Sequence, residues 1–96
     1  MSRATDDDIT TYLTQDEVSR LIAIKCLNGT TTNDIFLEVM RSREKKGIGA
    51  DSDDVRSITS SRLQNMEKLG ILTYDNQFWK TTEKAKVILR KYFGMV

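Results

Sequence analysis

Ser57, Ser60, Ser61 and Gln64 recur at intervals of three and four residues, with Arg56 before the run and Lys68 after it. On a helix turning 100° per residue, these side chains fall on one flank, with Arg56 at its border. Their chemistry is hydrogen bonding. Hydroxyls and cations donate to phosphate oxygens, and a glutamine amide can pair with an adenine edge. If the helix binds DNA, the lack of an arginine central on that face, the commonest reader of guanine, implies modest selectivity, with Gln64 as the base contact. The same serines also read as a plain solvated face. Serine is a mediocre helix former, however, and a surface chosen for helicity alone would carry Glu, Lys or Ala.

Other chemistries find little support. The 96-residue chain has no histidine and one cysteine, Cys26, which excludes histidine triads and His- or Cys-built zinc sites. Asp51, Asp53 and Asp54 resemble the start of a calcium loop. The sixth and twelfth positions, however, are Arg56 and Arg62 instead of glycine and glutamate. No phosphate-binding glycine loop or nucleophile–base pair is present, so no enzyme activity, cofactor, metal or small-molecule substrate is expected. Cys26 reads as an inert core thiol, and a single unpaired cysteine fits a reducing, cytoplasmic setting. No apolar run approaches the roughly 20 residues of a membrane span, and the amino end lacks the apolar stretch of a secretory signal.

The net charge of +1 conceals an asymmetry. Arg3 against Asp6, Asp7 and Asp8 leaves fourteen cationic and eleven anionic side chains in the remainder, a net of +3. That distribution permits a polyanion partner without requiring one.

The elements that must position these residues can be read from caps and apolar stripes. Residues 1–13 read as a flexible acidic tail, with Ile9 to Leu13 alternating as a short strand does. A single domain is expected over residues 14–96. Thr14-Gln15-Asp16-Glu17 reads as a capping box opening a first helix with Val18, Leu21 and Ile22 on its stripe, and Asn28-Gly29 stops it. Thr31 or Thr32 caps a second helix carrying Ile35, Val39 and Met40, and residues 44–50 form a loop around two glycines. A third helix opens at Asp51–Asp54 and runs to about Leu69, burying Val55, Thr59, Leu63 and Met66. Ile71–Tyr74, a turn at Asp75-Asn76, and Gln77–Lys80 read as a tight hairpin. Tyr74, Phe78 and Trp79 are expected to cover the core rather than to stack on bases. Thr82 caps a last helix with Ala85, Ile88, Leu89 and Tyr92 on its stripe.

Three helices, a hairpin and a C-terminal helix make a mainly α fold with a small β-hairpin. The run Ile58-Thr59-Ser60-Ser61-Arg62-Leu63-Gln64-Asn65-Met66-Glu67-Lys68-Leu69-Gly70-Ile71-Leu72 resembles the recognition-helix segment of winged helix-turn-helix transcriptional regulators of the MarR and PadR kind. Trp79 to Leu89, with Thr82-Glu83-Lys84-Ala85, is similar to that family's segment after the wing, with alanine for its usual glycine. The resemblance covers residues 14–93. It implies a three-helix core, a short wing and a protein that regulates transcription by binding double-stranded DNA through the third helix. A wing of only Asp75-Asn76 departs from the longer basic wings of many members.

Under that resemblance the DNA contacts would come from Arg56, Ser57, Ser60, Ser61, Gln64 and Lys68. Arg43, Lys45 and Lys46 in the loop region, with Arg41 beside them, and Lys80 after the wing would widen the footprint. A basic helix end serves equally to complement the helix dipole. Arg62 lies beside the apolar stripe, where an internal ion pair and a phosphate contact are equally open. A homodimer is expected, because one recognition helix with few base contacts rarely supplies enough affinity. Its surface would draw on the first helix, the Ile9–Leu13 segment and Tyr92, Phe93, Met95 and Val96. The alternative is a winged-helix protein-interaction module in a larger assembly, which the short acidic wing favours.

Overall fold

A computed structural model describes residues 4–49 and 51–94. Its order is α1 (Asp6–Gln15), α2 (Glu17–Lys25), α3 (Thr32–Lys45), α4 (Ser52–Lys68), β1 (Leu72–Asp75), β2 (Phe78–Thr81) and α5 (Glu83–Phe93). The described chain is mainly helical, with one antiparallel hairpin.

The amino segment corrects the expectation of a tail and strand, because residues 6–15 are helical. Thr5 Oγ1 accepts from the Asp8 backbone N–H, and Asp8 Oδ2 accepts from the Thr5 N–H, closing a capping box. The three aspartates occupy the first turn, where the helix dipole favours negative charge. Ile9 and Leu13 are fully buried, and α1 packs on α2 and α5. A spacing of four satisfies both the strand period of 2 and the helix period of 3.6, so these two residues alone do not separate the readings. Lys84 on α5 ties the start of α1 down by donating to the Ala4 carbonyl and pairing with Asp6.

The predicted cap at Thr14 is also displaced. Thr14 lies in the last turn of α1, where its hydroxyl donates to the Thr10 carbonyl. Asp16 is the extended residue between α1 and α2. Arg20 donates to the Leu13 and Thr14 carbonyls left open at that break.

The next boundaries follow the caps. Thr31 Oγ1 accepts from the Asp34 N–H at the start of α3. Helix α3 extends through Lys45, so the loop is shorter than the expected 44–50, of which Ala50 lies outside the described residues. Asp51 Oδ1 accepts from the Asp53 and Asp54 N–H groups, and α4 buries Val55, Thr59, Leu63 and Met66 as its periodicity requires.

The hairpin turn falls one residue later than expected. Leu72 faces Thr81 and Asp75 faces Phe78, leaving Asn76 and Gln77 as the turn. Both have positive φ, 54° and 69°, as a type I′ turn demands. One face of the hairpin carries Trp79, which is buried, but Tyr74 and Phe78 are about half exposed, against expectation. Tyr92 is likewise exposed on α5, whose buried residues are Ala85, Ile88 and Leu89.

Strand β2 knits the hairpin to the helices. Thr30 and Trp79 exchange backbone hydrogen bonds of 3.0 and 2.8 Å, adding a one-residue bridge from the α2–α3 connection to the edge of β2. The Thr81 N–H donates to the Cys26 carbonyl and its hydroxyl to the Ala23 carbonyl, satisfying the carboxyl end of α2. Thr82 donates to the Gly70 carbonyl while accepting from the Ala85 N–H, so one side chain joins the end of α4 to the start of α5. No helix among the described residues is long and apolar enough to cross a membrane.

Candidate nucleic-acid interface

The outward face of α4 carries the residues with the chemistry singled out above. Arg56, Ser57, Ser60, Ser61, Gln64 and Lys68 are all exposed, and no carboxylate interrupts the helix between Arg56 and Asn65. Their exposure follows from the burial of Val55, Thr59, Leu63 and Met66, which turns the opposite flank to solvent.

Helix α4 runs past the amino end of α3, and a groove of about 480 Å³ opens between them. Arg56, Ser60 and Gln64 form its α4 wall, one helical turn apart. Thr32 and Asn33 contribute from the first turn of α3, whose leading N–H groups have no carbonyl within the helix to meet. The apolar walls are Phe36, Leu63 and Trp79. Trp79 is held there by its indole Nε1–H, which donates to Thr32 Oγ1 at 2.9 Å. The Arg56 guanidinium sits 4.3 Å from the centre of the Phe36 ring, a cation–π contact.

Sequence reasoning missed the α3 half of this groove. The signal was available in part, since Thr31 was recognisable as a cap and a cap marks where free amides point. What the sequence did not display is the packing of α3 against α4, which brings Phe36 beneath Arg56.

The remaining candidates are scattered. Arg43 Nε donates to the Gly49 carbonyl and closes the α3–α4 loop. Lys46 pairs with Glu17 of α2, and its hydrogen bond and charge hold that carboxyl below its usual value. Arg41, Lys45 and Lys46 share a shallow hollow with Glu38 between α2 and α3, and none of them reaches the α4 groove. The Lys80 stem lies over Gly29, in a separate hollow beside Asp75, Asn76 and Phe78. Lys68 stands at the far end of α4, near Gly70 and Lys84. Of the ten residues expected to act together, the fold groups Arg56, Ser60 and Gln64, with Ser57 and Ser61 on the adjoining surface.

Arg62 makes the internal pair. Its Nε donates to Asp16 Oδ2, and Ser19 Oγ donates to the same oxygen at 2.6 Å. Partial burial works against the charged form of Asp16, but the bonds from Ser19 and Arg62 and the guanidinium charge outweigh it and hold the carboxyl low. Burial pushes the Cys26 thiol up to about 12. No group of three or more His, Cys, Asp or Glu side chains suited to a metal occurs among the described residues.

Comparison with protein-family models, with curated proteins and with solved structures returns no match.

Proposed function

We propose that this chain is a winged-helix DNA-binding protein that contacts duplex DNA through α4 and acts as a homodimeric transcriptional regulator. The observation that carries the reading is the exposed, carboxylate-free face of α4 from Arg56 to Asn65, set beside the amino end of α3. Anionic phosphates are favoured at both. The arrangement supports it: α2, α3 and α4 are followed by a hairpin whose second strand bridges back to Thr30 between α2 and α3. Arg56 and the α3 amides would hold the backbone, and Gln64 would reach a base edge. The paired turn Asn76-Gln77 is uncharged and short, so the wing contributes little to the footprint.

Dimerisation would not use Ile9 and Leu13, which the monomer already buries. Exposed Val87 and Tyr92 on α5 remain for it, while Met95 and Val96 lie outside the described residues. The test is fluorescence anisotropy with random duplex DNA across a salt series. Binding that weakens by several logarithmic units per unit of log salt, and that is lost in the Arg56→Ala, Gln64→Ala double variant, supports the reading. No binding at low salt overturns it.

A second reading, a protein-interaction module, is favoured by the half-exposed Tyr74 and Phe78 on the hairpin. The engagement of Arg43, Lys46 and Lys80 away from α4 points the same way. Absence of DNA binding would bring it forward.

A further inference from the structure

Ser57, Ser60 and Ser61 all lie exposed on α4, but their neighbours one helical turn away differ. Ser57 follows Asp53 and Asp54 at spacings of four and three, so an added negative charge there is repelled. Ser61 has Ser57, Ile58, Gln64 and Asn65 at those spacings, none of them charged. Of the three, only Ser60 has a cation one turn away, Arg56, and it has no carboxylate there. It is also the only one that lines the α3–α4 groove.

The rest of the groove lining is rich in donors. The Arg56 guanidinium is held by its stack on Phe36, and none of the ion pairs among the described residues uses it. Its N–H edge is therefore open to an anion. Thr32 Oγ1 accepts from the Trp79 indole, which leaves its own hydroxyl hydrogen to donate elsewhere. Asn33 adds a side-chain amide, and the Thr31 cap takes only the Asp34 N–H, so the first amides of α3 remain. No carboxylate lines the groove.

We infer that Ser60 is a phosphorylation site whose phosphoryl group docks in this groove, on Arg56 and the donors at the start of α3. The step is transfer from a nucleoside triphosphate by a protein serine kinase. Ser60 Oγ forms a bond to the γ-phosphorus, and the bond from that phosphorus to the β-phosphate oxygen breaks. The nucleoside diphosphate leaves, and the hydroxyl proton passes to a base of the kinase. The product carries about −1.5 to −2 charges and three acceptor oxygens, which suit a lining of donors. It engages Arg56 and turns the net charge of the chain from +1 to about −1. That modification switches off the face offered to DNA rests in addition on the proposed function. The docking of the phosphoryl group stands on the geometry of the groove.

The 96-residue chain is prepared with phosphoserine at position 60, and separately at position 61, by translational incorporation. Phosphorus NMR follows the second ionisation of each phosphoryl group against pH. The expected result is a value at position 60 about half a unit or more below that at position 61. Arg56→Met should erase the difference. Equal values at the two positions, or a difference that survives Arg56→Met, overturns the docking. So does a protein that unfolds more readily when phosphorylated at 60 than at 61, since a docked group stabilises what holds it. Anisotropy with duplex DNA at low salt reads the switch, and phosphorylation at 60 should weaken binding about tenfold or more. Undiminished affinity overturns the switch. A lowered ionisation at 60 without DNA binding by the parent keeps the docking and sinks the DNA reading. DNA binding by the parent with equal ionisation at 60 and 61 does the reverse.

Discussion

Arg62 and Asp16, 46 residues apart in the chain, meet in an ion pair whose Nε–Oδ2 distance is 2.5 Å. The pair ties the middle of α4 to the bend between α1 and α2, and Ser19 completes it from the first turn of α2. One cation of α4 is thereby committed to the fold.

Asp16→Asn should therefore destabilise the protein by about 1–2 kcal/mol at neutral pH, a charge-assisted bond discounted for partial exposure. Because the folded Asp16 carboxyl titrates below its unfolded value of about 3.9, its stabilisation is fully present above that value. It is lost as pH falls through the lower folded value. Urea denaturation of parent and variant at pH 7 and in acid checks this: the gap between them should close in acid, and a gap independent of pH contradicts it.

Leu13→Ala should cost about 3 kcal/mol, the usual loss for a fully buried leucine. A substitution in a solvated tail would cost nearly nothing. The midpoint of urea unfolding distinguishes the two, and Thr11→Ala, an exposed neighbour in the same helix, serves as the control.

Thr59→Val should raise stability by about 1 kcal/mol, since it removes a buried unpaired hydroxyl at nearly constant shape. Thermal unfolding measures it.

On the proposed DNA contact through α4, Arg56→Ala should flatten the dependence of log affinity for duplex DNA on log salt by about 0.9 unit, the share of one phosphate contact. Lys80→Ala should leave the slope unchanged, because that side chain lies over Gly29 in a different hollow. Equal effects from the two would place the DNA elsewhere than on α4.

Cys26 should resist thiol reagents at pH 8 in the folded protein and react at once in urea. It is fully buried, and its pKa of about 12 leaves almost no thiolate. Rapid reaction of the native protein, followed by absorbance of the released aryl thiolate, would contradict the burial.

Local signals were legible wherever a few neighbouring residues decide the conformation. Thr31, Asp51 and Thr82 cap their helices through side chains that reach two or three residues ahead, and such reach is visible in a linear sequence. The stripe Val55, Thr59, Leu63, Met66 likewise told which flank of α4 is buried and hence which bears Ser57, Ser60 and Gln64. The amino segment was misread because Ile9 and Leu13 suit two periods, and burial against α2 and α5 chose between them. The turn shifted to Asn76-Gln77 because register follows from strand pairing, including the Trp79–Thr30 bridge, and not from composition.

The sequence alone thus determined the helical class, the hairpin and the chemistry of the α4 surface, since propensity, caps and periodicity act within a few residues. Tertiary packing decided which cations remain free for a partner. It spent Arg62 on Asp16, Arg43 on Gly49 and Lys46 on Glu17. It also brought Phe36 under Arg56 and Trp79 against Thr32, making a groove from residues up to 47 positions apart. Contacts of that range depend on how whole elements dock, and in docking a charge is partnered by whichever opposite group or open carbonyl comes to lie beside it.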